Sequence, residues 1–344
     1  MDLTRFGDKV VFFSDTVGGG AAALVRRVQS AFDREPTRLY DDVRRKLHRR
    51  FRPHRPLAFP QAVHIEVTNA CNLRCVMCPR EGMQRPVGQM DRRLFGRLID
   101  ELAEHRREVE SVALMGLGEP FLHKELLDFA RLAKERGLAR LYTSSNATLL
   151  DERRGEDLLA ADAFDQLILS IDGGKKIYES LRPGARYETV AGNIRNLLAA
   201  KRRRGVSRPA IDLQILLMNE TENEIESFCE HWVPLLGPGD RILVKEVDTF
   251  AGQVPDRRTA AHRSRQPAVR IPCRQLWKDI SISWDGRVTV CCKDVLYKLA
   301  LGDANQESLA DLWRSARWNA IRRLHLEKSW NALDPCRTCS EWWI

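Results

Sequence analysis

The chain has 344 residues, of which 43% are hydrophobic and 30% charged. That length suits one large domain, or a barrel with an appendage. No apolar run nears the ~18 residues that span a bilayer, and the start, MDLTRFGDKVVFFSD, lacks the basic and apolar regions of a secretory signal. The net charge of +9 is concentrated in the runs from Arg44 and Lys201. Phe51 is the one Phe, Tyr or Trp in either run, so both read as solvated helix faces rather than a nucleic-acid surface.

In chain order, residues 1–60 read as a helical lead segment, with helices expected over 21–32 and 37–51. Gly18, Gly19 and Gly20 lack the GKS/T of a phosphate loop and read as a turn. From residue 61 apolar, β-branched strands are expected over 62–67, 111–117, 140–143, 166–171, 211–217 and 241–247. Helices are expected between them over 91–106, 124–136, 153–161, 187–203 and 222–236. Six βα units in a row predict an α/β fold with a parallel sheet curved into a partial barrel over 61–255. Reactive residues then belong at the C-terminal strand ends. After a polar linker from Val254, a β-hairpin is expected over 279–291 and a helix over 309–326. The third domain is expected to run from 256 to 344.

The nine cysteines, in a chain without a secretory signal, point to a reducing, cytoplasmic setting and to metal ligation. Cys71, Cys75 and Cys78 stand in C-x3-C-x2-C directly after the first strand. Three thiolates are one short of closing a cubane iron–sulfur cluster and leave one iron open to a reactant. A zinc site is the alternative. Further runs fall at successive strand ends: MGLGEPFL from Met115, LYTSSNATLL from Leu141, SIDGG from Ser170 and MNETENE from Met218. Each alone is ordinary turn chemistry.

Together these runs, over about 62–250, resemble the radical S-adenosylmethionine (SAM) superfamily. The resemblance implies a partial (β/α)6 TIM-like barrel in which the unique iron of a [4Fe–4S] cluster chelates SAM. Reductive cleavage of SAM then gives a 5′-deoxyadenosyl radical that takes hydrogen from substrate. It further implies that Gly116, Gly118, Glu119 and Pro120 cradle the methionine of SAM. Asn146, Ser170, Asp172 and Asn219 would line the rest of the cofactor, and Arg182 its carboxylate or the substrate. Met77 stands where an aromatic is usual, and Ala147 where glycine is usual.

In the tail, Cys273, Cys291, Cys336 and Cys339 form a second set. Spacing alone would equally suit a structural zinc. The run from Pro272, with Gly286 five residues before Cys291, is similar to the start of the SPASM region of radical SAM maturases. No cysteines follow Cys339, so the tail resembles the shortened "twitch" variant with one auxiliary [4Fe–4S] cluster, as in enzymes of the butirosin-pathway aminocyclitol dehydrogenase type. Four thiolates leave that cluster no open iron, which implies electron transfer and favours a two-electron oxidation of a small polar substrate: a sugar, aminocyclitol or nucleotide sugar. An external donor such as flavodoxin or ferredoxin is implied.

Cys292 is either a packed thiol, an alternative ligand to Cys291, or a hydrogen-atom donor, which would make an epimerase. Lys245 and Glu246 either face substrate or form an ordinary ion pair. Cys229 reads as core and His123 as a turn residue, and the tail tryptophans are expected to pack around the second cluster. A radical decarboxylase, a peptide-modifying maturase and a zinc-holding nucleic-acid-binding protein are the competing readings. Oligomeric state is not legible.

Overall fold

A computed structural model describes residues 4–12 and 57–343. The helices expected over 21–32 and 37–51, and the three-glycine turn, lie outside the described residues. One ten-stranded sheet organises the chain, in the order β1-β7-β6-β5-β4-β3-β2-β8-β9-β10. Its strands are β1 (Val10–Phe12), β2 (Ala62–Ile65), β3 (Ser111–Leu114), β4 (Leu141–Ser145), β5 (Gln166–Ser170), β6 (Ala210–Leu217), β7 (Arg241–Glu246), β8 (Asp279–Ile282), β9 (Arg287–Thr289) and β10 (Ala300–Asp303). The six strands from β2 to β7 are parallel neighbours in chain order. That is the βα series the sequence predicts.

The helices are α1 (Arg92–Glu104), α2 (Leu126–Glu135), α3 (Glu152–Ala161), α4 (Lys175–Leu181), α5 (Tyr187–Arg204), α6 (Ile225–Trp232), α7 (Ala260–Arg265), α8 (Leu309–Arg314) and α9 (Ala316–Leu326). In α1 the residues Leu94, Phe95, Leu98, Ile99 and Leu102 repeat at three- and four-residue steps and are all buried. Such a stripe must lie on another apolar surface. The Asp91 carboxylate accepts the Leu94 N–H at 2.8 Å and starts the helix. Outward-facing strand residues Val63, Ile65, Val112, Leu114, Leu167, Leu169, Leu213, Ile215, Ile242 and Val244 are at most 1% exposed within the main core.

Three expectations change. The helix predicted over 309–326 is split at Ser315, whose extended backbone (ψ 154°) ends α8 while its hydroxyl accepts from Trp318 N and starts α9. The stretch over 222–236 holds only α6 as α-helix, flanked by two 3-10 turns, the second containing Pro234. The linker read from Val254 contains α7, capped by Thr259.

The tail hairpin also joins the barrel sheet. β8 pairs in parallel with β2, from Ala62 opposite Asp279 to Ile65 opposite Ile282, and β9 returns antiparallel. At the other edge β1, within the stretch read as a lead segment, pairs with β7. Gly286 turns the hairpin at φ +91°, and an added Cβ would meet Asn305 Nδ2 at 2.2 Å. Only glycine satisfies both conditions.

Candidate active site: two cysteine sets and the space between them

The loop after β2 carries Cys71, Cys75 and Cys78. Backbone bonds from Arg74 N to Pro183 O (3.2 Å) and Val76 N to Leu181 O (3.0 Å) tie it to the end of α4. The Asn69 side chain accepts from Gly88 N and donates to Pro86 O, both at 2.8 Å. The three sulfurs lie near enough to perturb one another, and burial pushes all three thiols up, Cys78 to about 11. Buried thiols of this kind ionise when a metal takes the place of the proton. The Cys71 sulfur accepts from Leu73 N at 3.5 Å, and the Arg182 guanidinium reaches the Cys75 sulfur at 3.7 Å.

The strand-end motifs surround this loop. An added Cβ on Gly118 would lie 2.2 Å from Thr68 O and 2.7 Å from Ala70 O, and one on Gly116 would lie 2.5 Å from Glu66 Cγ. Both glycines therefore let the loop after β3 lie on the cysteine loop, a packing reason beside the expected approach to SAM. Pro120 opens a 3-10 turn behind Glu119. The buried Glu119 carboxylate accepts from Asn146 N (2.7 Å), Ser145 Oγ (2.8 Å) and Phe121 N (3.1 Å), clamping the ends of β3 and β4. Asn146 donates to Asn72 Oδ1 at 2.9 Å. Ala147 holds φ +58°, the left-handed conformation that explains why glycine is usual there.

Asp172 accepts from Leu216 N at 2.7 Å and from Arg182 at 2.7–2.8 Å, so these two residues lock each other beside Cys75. Ser170 is buried at the end of β5, within 3.5 Å of Gln214 Nε2. Asn219 lies at the surface, its backbone N–H bonded to Arg257 O. Met77 packs with Leu181, Leu216, Met218 and Val247 in an apolar cluster of its own, against which Cys75 also lies.

The second set also comes together. Cys273, Cys291, Cys336 and Cys339 line one cavity, shared with Arg270, Gln275, Lys293, His325, Glu341 and Trp342. Burial pushes Cys273 up to about 12 and Cys336 to about 11. Cys292 lies outside this lining; contact with Cys291, then the Lys293 charge, hold its thiol below the ordinary value. Glu341 closes the site from the barrel side, accepting from Thr249 N at 2.8 Å and standing 3.5 Å from Cys339 Sγ. Among the described residues no group of His, Cys, Asp or Glu is arranged to hold a single metal ion. Tetrahedral zinc would need four sulfurs about 2.3 Å from one centre. A cubane seats each thiolate on a different iron, so sulfurs ringed around a cavity fit the cluster better.

Between the two sets lies a face the sequence reading missed. Along the parallel strands the helix-side residues are fully buried, while the alternate ones, His64, Tyr142, Ser144, Ile168, Gln214 and Lys245, keep partial exposure. They share one face by strand alternation. A complete barrel fills this interior with side chains; here the named positions keep partial exposure, while Ala113, Asp212, Leu216 and Leu243 on the same face are buried. The signal was present as His64, Tyr142, Ser144, Gln214 and Lys245, polar residues that alternate with buried ones along the strands. Burial, then Lys278 and Lys293, hold His64 down at about 4, and burial pushes Tyr142 up to about 12, with Cys292 and Asp279 near its hydroxyl.

Lys245 bonds Asp248 at 2.9 Å, and Lys293 pairs with the same carboxylate, which the two ammonium groups hold well below its usual range against the opposing effect of burial. Glu246 is turned off this face and pairs with Arg265 and, at 3.4 Å, His262. The two cysteine sets leave neighbouring strands in opposite directions: the triad follows the end of β2, whereas Cys291 follows antiparallel β9, whose last residue, Thr289, stands opposite Ser281.

Residues 65–231 match the family model described as the radical SAM superfamily, and 273–340 that described as an iron–sulfur cluster-binding SPASM domain. Together the two span about two thirds of the chain. A relative in Pyrococcus furiosus, the tungsten-containing aldehyde ferredoxin oxidoreductase cofactor-modifying protein, is 26% identical over 81% of this chain and 86% of its own. A GTP 3′,8-cyclase of Chlorobaculum tepidum is 32% identical over 49% of this chain and 48% of its own. Among solved structures, SuiB of Streptococcus suis bound to S-adenosylmethionine aligns with a TM-score of 0.65 at 16% identity, covering 86% of this chain and 76% of that one. BtrN in complex with AdoMet and 2-DOIA aligns with a TM-score of 0.56 at 18% identity, covering 82% and 93%. At these identities the two structures share the fold.

Proposed function

From a chain that belongs to the radical SAM superfamily and carries its SPASM domain, we propose a two-electron oxidation of a small polar metabolite, such as a sugar, aminocyclitol or nucleotide sugar. Enzymes of this superfamily bind SAM and a [4Fe–4S] cluster, and the SPASM domain adds a further iron–sulfur cluster. When bound, these groups supply a 5′-deoxyadenosyl radical at one end and an electron acceptor at the other. In this reading Cys71, Cys75 and Cys78 hold the first cluster, and Cys273, Cys291, Cys336 and Cys339 the second.

The observation that carries the reading is the open, polar inner face between the two cysteine sets. His64, Tyr142, Ser144 and Gln214 offer donors and acceptors matched to a polyhydroxylated molecule rather than an apolar one. Lys245, held by Asp248, presents a cation to the substrate. The apolar cluster around Met77 keeps water from the triad side. Asp172 and Arg182 fix the loop bearing Cys75, and Glu119 fixes the strand ends beneath SAM. The substrate loses one hydrogen atom from a carbinol carbon, one hydroxyl proton and one electron, and leaves as a ketone.

A second reading rests on Cys292, which stays out of the four-sulfur cavity and lies near Tyr142. A thiol placed there can return a hydrogen atom to a substrate radical and make an epimerase. Anaerobic incubation of cluster-loaded protein with SAM, reduced flavodoxin and a panel of aminocyclitols and sugars separates the two. Oxidation gives 5′-deoxyadenosine and a product two mass units lighter, and Cys292→Ala retains it. An unchanged mass in ordinary water, with one deuterium gained in heavy water, overturns the oxidation.

A further inference from the structure

Two hydrogen-bond donors in the four-sulfur cavity have nothing to donate to. His325, on α9, is 1% exposed. Its Nδ1 accepts the Cys273 N–H at 3.4 Å, which puts the ring proton on Nε2. That Nε2 is buried without a partner, and so is Arg270 Nε. Both side chains line the cavity with Cys273, Cys291, Cys336 and Cys339.

Their placement is fixed from behind. Arg270 donates from Nη2 to Cys336 O at 2.8 Å and lies 4.8 Å from the Trp330 ring and 5.9 Å from the Trp342 ring. Trp330 also packs on His325, at 6.2 Å. Among the other side chains of the lining, the Glu341 carboxylate serves Thr249 and Ala251, and Gln275 Oε1 faces Cys291 Sγ at 3.2 Å rather than either free donor. A buried donor without an acceptor costs about 1–3 kcal/mol, and two in one cavity point to an acceptor that occupies it.

We propose that Arg270 and His325 are positioning residues that donate hydrogen bonds to sulfur atoms of the tail's iron–sulfur centre and so raise its reduction potential. The inference rests on the reading that these four cysteines hold iron. A donor aimed at sulfur stabilises the reduced, more negative state over the oxidised one. The cation Arg270 adds to this, so the pair would make the tail centre a better electron acceptor than its four thiolates alone.

The test uses the full chain with Cys71, Cys75 and Cys78 changed to Ala, so that only the tail centre reports. Its potential is read by a redox titration followed by electron paramagnetic resonance. Arg270→Met and His325→Leu are each expected to lower the ratio of reduced to oxidised centre about tenfold at fixed potential, about 59 mV for one electron. His325→Gln and Arg270→Lys, which keep a donor, should recover most of that change. Unchanged potentials in the Met and Leu variants at full iron content overturn the proposal. So does loss of iron in His325→Leu but not in His325→Gln, which would make His325 structural. A parent that takes up zinc, or no iron, refutes the four-cysteine reading itself, and that outcome is seen before either residue is touched.

Discussion

Removing Arg85 tests how the barrel holds its reactive loops. The Arg85 guanidinium makes two parallel bonds to the Glu66 carboxylate, at 2.8 and 3.0 Å, with the two side chains only 4% and 5% exposed. Glu66 also accepts from Leu117 N at 3.2 Å, inside the GEP loop. Arg85 donates to Val295 O at 3.1 Å and lies 4.5 Å from the Tyr297 ring, so it joins the cysteine-loop side to the tail. Arg85→Met keeps most of the volume but strands a buried carboxylate, at a cost of about 3–5 kcal/mol. Against a total stability of roughly 5–15 kcal/mol, that is a large fraction. Urea unfolding followed by far-ultraviolet circular dichroism reads it, with Glu66→Gln and the double variant completing a cycle. The double variant should lose at least about 2 kcal/mol less than the sum of the singles, because its buried charge is gone. A loss under about 1 kcal/mol for Arg85→Met, or strictly additive singles, refutes the reasoning.

Changing Cys71, Cys75 and Cys78 to Ala should abolish 5′-deoxyadenosine formation while iron falls from about eight to about four atoms per chain; loss of all iron would show that the two sites do not load independently. Gly118→Ala drives a Cβ to 2.2 Å from a backbone oxygen that cannot rotate away, so it should cost at least the ~1–3 kcal/mol of an overpacked core and weaken SAM binding in equilibrium dialysis. Gly116→Ala, which meets a side chain, should cost less. Asp279 is held up at about 6 by burial, and its Oδ1 has no partner. It is therefore protonated in the fold at pH 5 and largely ionised in the unfolded chain. The stability it contributes is full below its unfolded value of about 4 and lost as pH rises through 6. Asp279→Asn should stabilise the protein by up to ~3 kcal/mol at pH 8 and by nothing near pH 4; thermal unfolding at the two values decides this.

The sequence carried the parallel strands because each is a short apolar run bounded by turn residues, and because reactive motifs recur where each run stops. It carried the triad because C-x3-C-x2-C is a local spacing, whereas the widely spaced tail cysteines were grouped through the likeness of the run from Pro272 to a known region. What it did not carry depends on pairing across long separations. That β8 would add beside β2 cannot be read from either strand, since each is a short four-residue stretch with β-branched residues at two alternate positions, a pattern that fits many partners. The split at Ser315 follows from one hydroxyl that caps a helix instead of riding in it, and either choice is compatible with the flanking apolar pattern. Lys245 and Glu246 are adjacent and both charged, so sequence alone gives neither a different setting. Only alternation on β7 sends the first to the inner face and the second to Arg265 and His262.

The open inner face follows from the same edge pairing. A barrel of eight strands closes and fills its own centre, whereas in this sheet parallel pairing runs from β1 through β8 and antiparallel β9 and β10 extend it beyond, with no pairing that joins the two edges. The strands after β8 return as a hairpin that leads into Cys291 rather than to closure. A sheet that curves without closing need not fill its concave side completely, so His64, Tyr142, Ser144 and Gln214 can stay polar there while the main core packs on the helix side. The hairpin added beside β2 is thus the one that leads into Cys291. One topological choice produces both the space for a substrate and the second cysteine set that faces it, which is why mutations on the concave side should change substrate handling far more than stability.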